Sequence, residues 1–210
     1  METRVPFIRS PNYKRPVFRR KVKQIVLHYT AGYTYEQAAK TFMNASAQKS
    51  SHLLIGRDAG EIGQFVTYPD IAWHAKGANQ DSIGIEIVSL GGMFARQGKD
   101  GSFRYYHDTR SGGFYGVHPE NPVLHIPTDK YNAWETFTDW QYHAAAQACA
   151  WIMGLYEMQS VDKIVDHRAV DKRGVKWDIG PAWDWQRFNL LVADAMRKPL
   201  TSPMTITTGD

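Results

Sequence analysis

Apolar positions along the chain follow two rhythms, and each predicts a different element. Val22, Ile25, Val26 and Leu27 form a near-continuous run before a turn-like ThrAlaGly, which predicts a buried strand ending near Tyr29. Residues 53–56 and 61–66 flank ArgAspAlaGly and predict a hairpin. Residues 83–88, GlyIleGluIleVal at their centre, predict a further strand with Glu86 set among apolar neighbours. Helical spacing takes over twice. Thr34 with Gln37 forms a capping-box pattern that opens a helix to about Asn44. Thr138 with Gln141 opens a second, along which Ala144, Ala145, Ala148, Trp151, Ile152 and Leu155 recur on one side. Residues 163–166 predict a short strand leading to His167, and residues 185–197 a last helix with Trp185, Phe188, Leu191 and Val192 on one face. Between residues 91 and 133 neither rhythm is sustained, which predicts a long irregular insertion. The whole reads as one α/β domain, a central mixed β-sheet flanked by helices. The expected bounds are a basic arm over 1–21, the domain over 22–198 and a frayed tail over 199–210.

Composition narrows the class further. The 210 residues are 43% apolar and 22% charged, enough for one ordinary core. No apolar run approaches the ~18–20 residues that span a bilayer. The first residues contain no apolar leader, so no secretory signal is expected. Cys149 is the one cysteine, which excludes an internal disulfide and a zinc site built from several thiolates. The net charge of +4 is uneven: residues 1–23 carry Arg4, Arg9, Lys14, Arg15, Arg19, Arg20, Lys21 and Lys23 against Glu2. Such an arm suits a polyanionic partner such as nucleic acid, anionic membrane or cell wall, or else simply lies solvated over the surface.

Candidate chemistry lies at the ends of the predicted strands. His28 and His167 each close a short apolar strand, so both can point into one cleft. Asp178 sits eleven residues beyond His167 in LysTrpAspIleGlyPro. Two imidazoles and one carboxylate suit a catalytic zinc ion with a fourth position left open. Glu86, desolvated in its strand, suits a general base. Lys176 precedes Asp178 by two residues, on the same face if the segment is extended, where its charge can stabilise an oxyanion.

These residues fall within segments that together resemble a known family: IleValLeuHisTyrThrAlaGly (25–32), SerSerHisLeuLeuIleGlyArgAspAlaGlyGluIle (50–62), IleAlaTrpHisAlaLysGly (71–77), SerIleGlyIleGluIle (82–87), PheThrAspTrpGlnTyr (137–142) and AspHisArgAlaVal…LysTrpAspIleGlyProAlaTrpAspTrp (166–185). They resemble the zinc-dependent N-acetylmuramoyl-L-alanine amidases, the family of phage lysozyme-type amidases, muropeptide-recycling amidases and peptidoglycan recognition proteins. The resemblance implies Zn2+ held by His28, His167 and Asp178, catalysis by Glu86 and Lys176, and a substrate-binding position at His74. His52 matches a motif histidine that is not a ligand. Departures are Ile179, where the family usually has proline, and Ser51, where phage lysozyme-type members place a tyrosine.

The implied reaction is hydrolysis of the amide between N-acetylmuramic acid and L-alanine in peptidoglycan, by a bacteriolytic phage-type endolysin made in the cytoplasm and acting on periplasmic wall. Two alternatives are a cytoplasmic enzyme that recycles soluble muropeptides and a module that binds peptidoglycan without cutting it. Occupied ligand positions favour an enzyme. The expected partner is peptidoglycan or a muropeptide, with no nucleic acid and no transmembrane segment, and the chain is expected to be a monomer.

Overall fold

The computed structural model describes residues 2–109, 111–198 and 204–207. In chain order the strands up to the first helix are β1 (Glu2–Arg4), β2 (Tyr13–Lys14) and β3 (Gln24–Tyr29), followed by α1 (Tyr35–Met43). Then come β4 (Leu53–Ile55), β5 (Ile62–Gln64), β6 (Ile71–Ala72) and β7 (Ser82–Ile87). The segment 91–133 and its exit hold β8 (Gly92–Gln97), β9 (Phe103–Asp108), β10 (Phe114–Val117), β11 (Val123–Leu124) and β12 (Ala133–Glu135). Helix α2 (Asp139–Leu155), strand β13 (Ile164–Asp166), helices α3 (His167–Val170) and α4 (Trp185–Ala195), and strand β14 (Thr205–Thr207) complete the chain.

The central sheet runs β13-β3-β7-β4-β5 and is mixed: the first three pairings are parallel and β5 is antiparallel to β4. Strand alternation divides its two faces. Ile25 and Leu27 of β3, Leu53 and Ile55 of β4, and Ile83, Ile85 and Ile87 of β7 enter the main core, with Ala145, Cys149 and Ile152 of α2 and Phe188 and Val192 of α4. On the other face Leu54 joins Phe42 of α1, Phe65 and Val88 in a smaller cluster. Both predicted caps form. Thr34 Oγ1 accepts the Gln37 amide, and Thr138 and Gln141 make a reciprocal capping box. Cys149 is fully buried, as a small hydrophobe in α2 would be.

Two expectations need correction. The 91–133 insertion is not irregular: its strands form a five-stranded antiparallel sheet in the order β10-β9-β8-β12-β11. Phe103 to Asp108 has aromatic rings on both faces, Phe103 and Tyr105 on one and Tyr106 between Arg104 and Asp108 on the other, so the period-2 signal of a half-buried strand is erased. The tail is not wholly frayed, because β14 pairs with β1 and Ile206 is fully buried; residues 199–203 and 208–210 lie outside the described residues. The basic arm lies docked on the body. Phe7 bridges Gln64, β2 pairs with β6, and Ser10, Asn12 and Arg20 are buried. The Arg20 guanidinium donates to the carbonyls of Asn79, Ser82 and Tyr68, so this cation of the arm is a clasp on the body.

A second clasp ties the inserted sheet to the core. The Glu135 carboxylate is fully buried and accepts from Arg57 Nη2 at 2.7 Å, from the Leu90 amide at 2.6 Å, from Ser89 Oγ, and from the Glu120 and Asn121 amides. A buried carboxylate is tolerable only when its lone pairs are satisfied in this way.

Candidate active site

Strand alternation, which sends isoleucines into the core, sends the polar residues of the same strands to the opposite face. His28 of β3 and Glu86 of β7 are direct neighbours across the parallel pairing, both one residue from the strand's C-terminal end. Ligand sites of open α/β sheets lie at these carboxyl ends. His167 follows the end of β13 as the first residue of α3. Asp178 arrives on the loop before α4, where its carbonyl accepts the Arg168 amide. That loop packs against the inserted sheet: Gly180, at φ +85, lies so close to the Trp134 ring that no Cβ would fit. Ile179 is buried, and its peptide bond with Asp178 is cis.

These groups converge at the floor of a cleft of about 510 Å³. His28 Nδ1, His167 Nδ1 and Asp178 Oδ2 form a near-equilateral triangle with sides of 3.0, 2.8 and 2.9 Å. Two imidazole nitrogens and a carboxylate oxygen aimed at one point are a donor set for a cation, and all three residues are buried. A tetrahedral zinc ion with bonds of about 2.0–2.1 Å separates its donors by about 3.3 Å, so a small opening of the triangle seats it and leaves a fourth position free. The set therefore fits the metal that the sequence implies.

The tautomers can be read from the far side of the cluster. Ser82 Oγ donates to the Ala78 carbonyl at 2.6 Å, which uses its one proton. The 3.2 Å contact from Ser82 Oγ to His74 Nε2 must then run from His74 to Ser82. Burial, with neighbouring imidazoles and Arg20, holds His74 well below its ordinary pKa, so the ring is neutral and its Nδ1 is an acceptor. His28 Nε2, 2.9 Å away, supplies the proton. Burial lowers the His28 pKa too, which leaves its Nδ1 with a free lone pair facing the triangle. Both His74 nitrogens are therefore engaged within the protein. The ring lines the cleft, but its contacts position His28 and leave no nitrogen free for a substrate.

Glu86 lines the same cleft, and its Oε2 is buried without a hydrogen-bond partner. Burial, reinforced by the charge of Asp178 and opposed by Lys176 and Lys49, pushes the carboxyl up to about 8. Asp178 is the opposite case. Burial pushes its carboxyl up, but the two imidazole rings in contact with its Oδ2, His167 and His28, prevail and hold it well below the usual carboxylate range. Lys176 is half-buried on the cleft wall. His52 is fully buried, accepts the Gly84 amide at Nδ1 and is pushed down to about 3 by burial and Arg20; it does not line the cleft. Ser51 is buried as well and does not reach it. Tyr131, Trp177 and Lys49 do line it, and none was singled out in the sequence. Trp177 was legible as the residue between Lys176 and Asp178, whereas Tyr131 enters from the inserted segment and carried no local signal.

A single α/β domain with a buried carboxyl in the same cleft as three donor atoms that could hold a cation has the make-up of a metal-dependent hydrolase. The sequence matches the family described as N-acetylmuramoyl-L-alanine amidase over residues 18–181, and the chain belongs to that family. A curated relative, N-acetylmuramoyl-L-alanine amidase A of Achromobacter lyticus, is 42% identical over 62 residues, 30% of this chain and 34% of that protein. The match thus spans about a third of that relative's length. Among solved structures, an AmpD derivative superposes with a TM-score of 0.60 at 22% identity, covering 90% of this chain and 94% of that one. AmiD from E. coli, solved with the substrate anhydro-N-acetylmuramic acid-L-Ala-D-gamma-Glu-L-Lys, gives 0.57 at 22% identity over 83% of this chain and 59% of that one. At these identities the likeness is one of fold.

Proposed function

We propose that this chain hydrolyses the amide between the lactyl group of N-acetylmuramic acid and L-alanine in peptidoglycan, with zinc bound by His28, His167 and Asp178. The observation that carries the reading is the triangle of Nδ1, Nδ1 and Oδ2 atoms, with Glu86 one strand away in register. Zinc in that position supplies a Lewis acid that polarises a carbonyl and acidifies water. His74 and Ser82 hold His28 in the tautomer that presents Nδ1. Glu86 accepts a proton from the attacking water and delivers it to the L-alanine nitrogen as the amide C–N bond breaks, leaving a lactyl carboxylate and a free amine. Lys176 places positive charge beside the oxyanion that develops on the carbonyl oxygen. Tyr131 and Trp177 give the cleft aromatic walls against which a substrate can pack.

The lytic, endolysin-type setting, acting on wall from the periplasmic side, is the context we favour; its alternative is recycling of soluble muropeptides. Mass spectrometry of products from purified sacculi and from a soluble muropeptide, with and without chelator, tests both levels. Release of stem peptides with a free L-alanine amine, abolished by chelator and restored by zinc, is the expected result. Binding to sacculi without any release would instead make the chain a recognition module.

A further inference from the structure

The inserted sheet is packed on one face at its inner end, although Phe103 and Tyr115 farther out on that face are exposed, and its other face is open from Phe94 outward. Met93, Val117 and Ala133 turn inward onto Leu90, joined by Ala95 and Tyr105. Phe94, Arg96, Arg104, Tyr106 and Phe114 share the other face, as the strand register requires. That face continues the catalytic cleft through a chain of rings. Trp177 and Tyr131, which line the cleft, lie 6.3 Å apart; Tyr131 and Phe94 are 5.3 Å apart, and Phe94 and Phe114 5.1 Å. Cations border the track along its length. Arg168 lies over Trp177, Lys130 over Tyr131, and Arg96 over both Tyr106 and Phe114. Of the carboxylates beside it, Asp108 is paired with Lys130 at 3.1 Å, and Asp100 borders the outer end next to Lys99, Arg96 and Arg104. Gly116 stands beside Tyr106 with open space where a side chain would be, so the platform is flat there. Phe114 at the far end is 50% exposed.

We infer that this face is an extended binding groove for a polymeric glycan–peptide strand, and that it directs the enzyme to intact wall over single muropeptides; the inference rests on the amidase reading of the cleft. A pyranose ring offers a flat face of polarised C–H groups to the negative face of an aromatic ring, so successive sugars suit successive rings. Stem peptides carry carboxylates, which arginine side chains bind through paired N–H groups. A single muropeptide seated at the triangle occupies the cleft and leaves the distal rings uncovered. A strand with neighbouring repeat units covers them.

The experiment compares kcat/KM on purified sacculi with that on a single-unit N-acetylmuramoyl-pentapeptide for Arg96→Ala, Phe114→Ala and the double variant, with Phe103→Ala on the opposite face as control. The double variant is expected to lose about tenfold on sacculi and less than twofold on the single unit, which also reports that it is folded. Phe103→Ala should match the parent on both substrates. Co-sedimentation with sacculi in the presence of chelator should weaken in parallel. Equal losses on both substrates by the exposed Arg96→Ala variant, or no loss on sacculi by the double variant, would overturn the groove. If the parent chain released no stem peptide from either substrate, the amidase reading would fail instead, and co-sedimentation would still decide the groove.

Discussion

His74 Nδ1 stands 2.9 Å from His28 Nε2, at the end of a donor chain that terminates on the Ala78 carbonyl. The direction of that chain is forced by chemistry, because a carbonyl only accepts and a serine hydroxyl has one proton. His28 thereby presents the lone pair of Nδ1 to His167 and Asp178, the orientation that a metal ligand there would need.

Removing the support should therefore cost metal affinity without removing a ligand. His74→Ala is expected to weaken zinc binding ~10–100-fold, the range for loss of a histidine's outer partner, and Ser82→Ala less. Gly84→Ala should act in the same direction, since a Cβ there would collide with the His74 ring. Competition titration against a chromophoric chelator measures all three. Unchanged affinity in His74→Ala would show that the donor chain contributes nothing.

Glu86 ties activity to stability. Burial raises its carboxyl from 4.5 to about 8. Between those values the unfolded chain has released the proton while the folded chain keeps it, so stability falls as pH rises across that window. Glu86→Gln removes the penalty. In chelator, the variant should match the parent below pH 4 and exceed it by ~2–4 kcal/mol above pH 8, each unit of pKa shift counting ~1.36 kcal/mol before discounting. Denaturant melts at several pH values would reveal the divergence or its absence. Turnover should meanwhile fall ~10²–10⁴-fold, the range for loss of a general base.

Lys176→Ala should lower kcat by ~10²–10³-fold, as removal of one oxyanion-stabilising group does, with KM little changed. Steady-state kinetics on a soluble muropeptide separates the two constants. A large rise in KM at constant kcat would make Lys176 a substrate anchor instead.

Glu135→Ala should destabilise the fold by ~3 kcal/mol, because Arg57 would lose its buried partner and keep only the exposed Glu120, and the Leu90, Glu120 and Asn121 amides would lose their acceptor. Urea unfolding at neutral pH reads this directly. A loss under 1 kcal/mol would mean that water replaces the carboxylate at no great cost.

Zinc should raise the melting temperature of the parent in a concentration-dependent way, since a ligand that binds only the folded state stabilises it by mass action. His28→Ala, His167→Ala and Asp178→Ala should each abolish the effect. Differential scanning fluorimetry with graded zinc is sufficient to see it.

How much of this was legible in the sequence differs from element to element. The apolar runs around His28 and Glu86 predicted β3 and β7 because a strand buried on both faces shows in its own residues. The caps at Thr34 and Thr138 were equally local. The ligand set His28, His167 and Asp178 was readable only as three strand-end or loop residues joined by a family resemblance. Glu135, Arg20 and Tyr131 carried no such mark. What makes each of them important is a partner tens of residues away.

The sequence by itself determined where strands and helices form and which residue types stand at their ends, since periodicity, caps and turn residues act over a few positions. The tertiary structure alone decided that His28 Nδ1, His167 Nδ1 and Asp178 Oδ2 meet within about 3 Å, that the tail closes on the arm, and that residues 91–133 form a sheet beside the cleft. Those outcomes depend on pairing between distant segments, whose energy lies in contacts that no single stretch of chain contains.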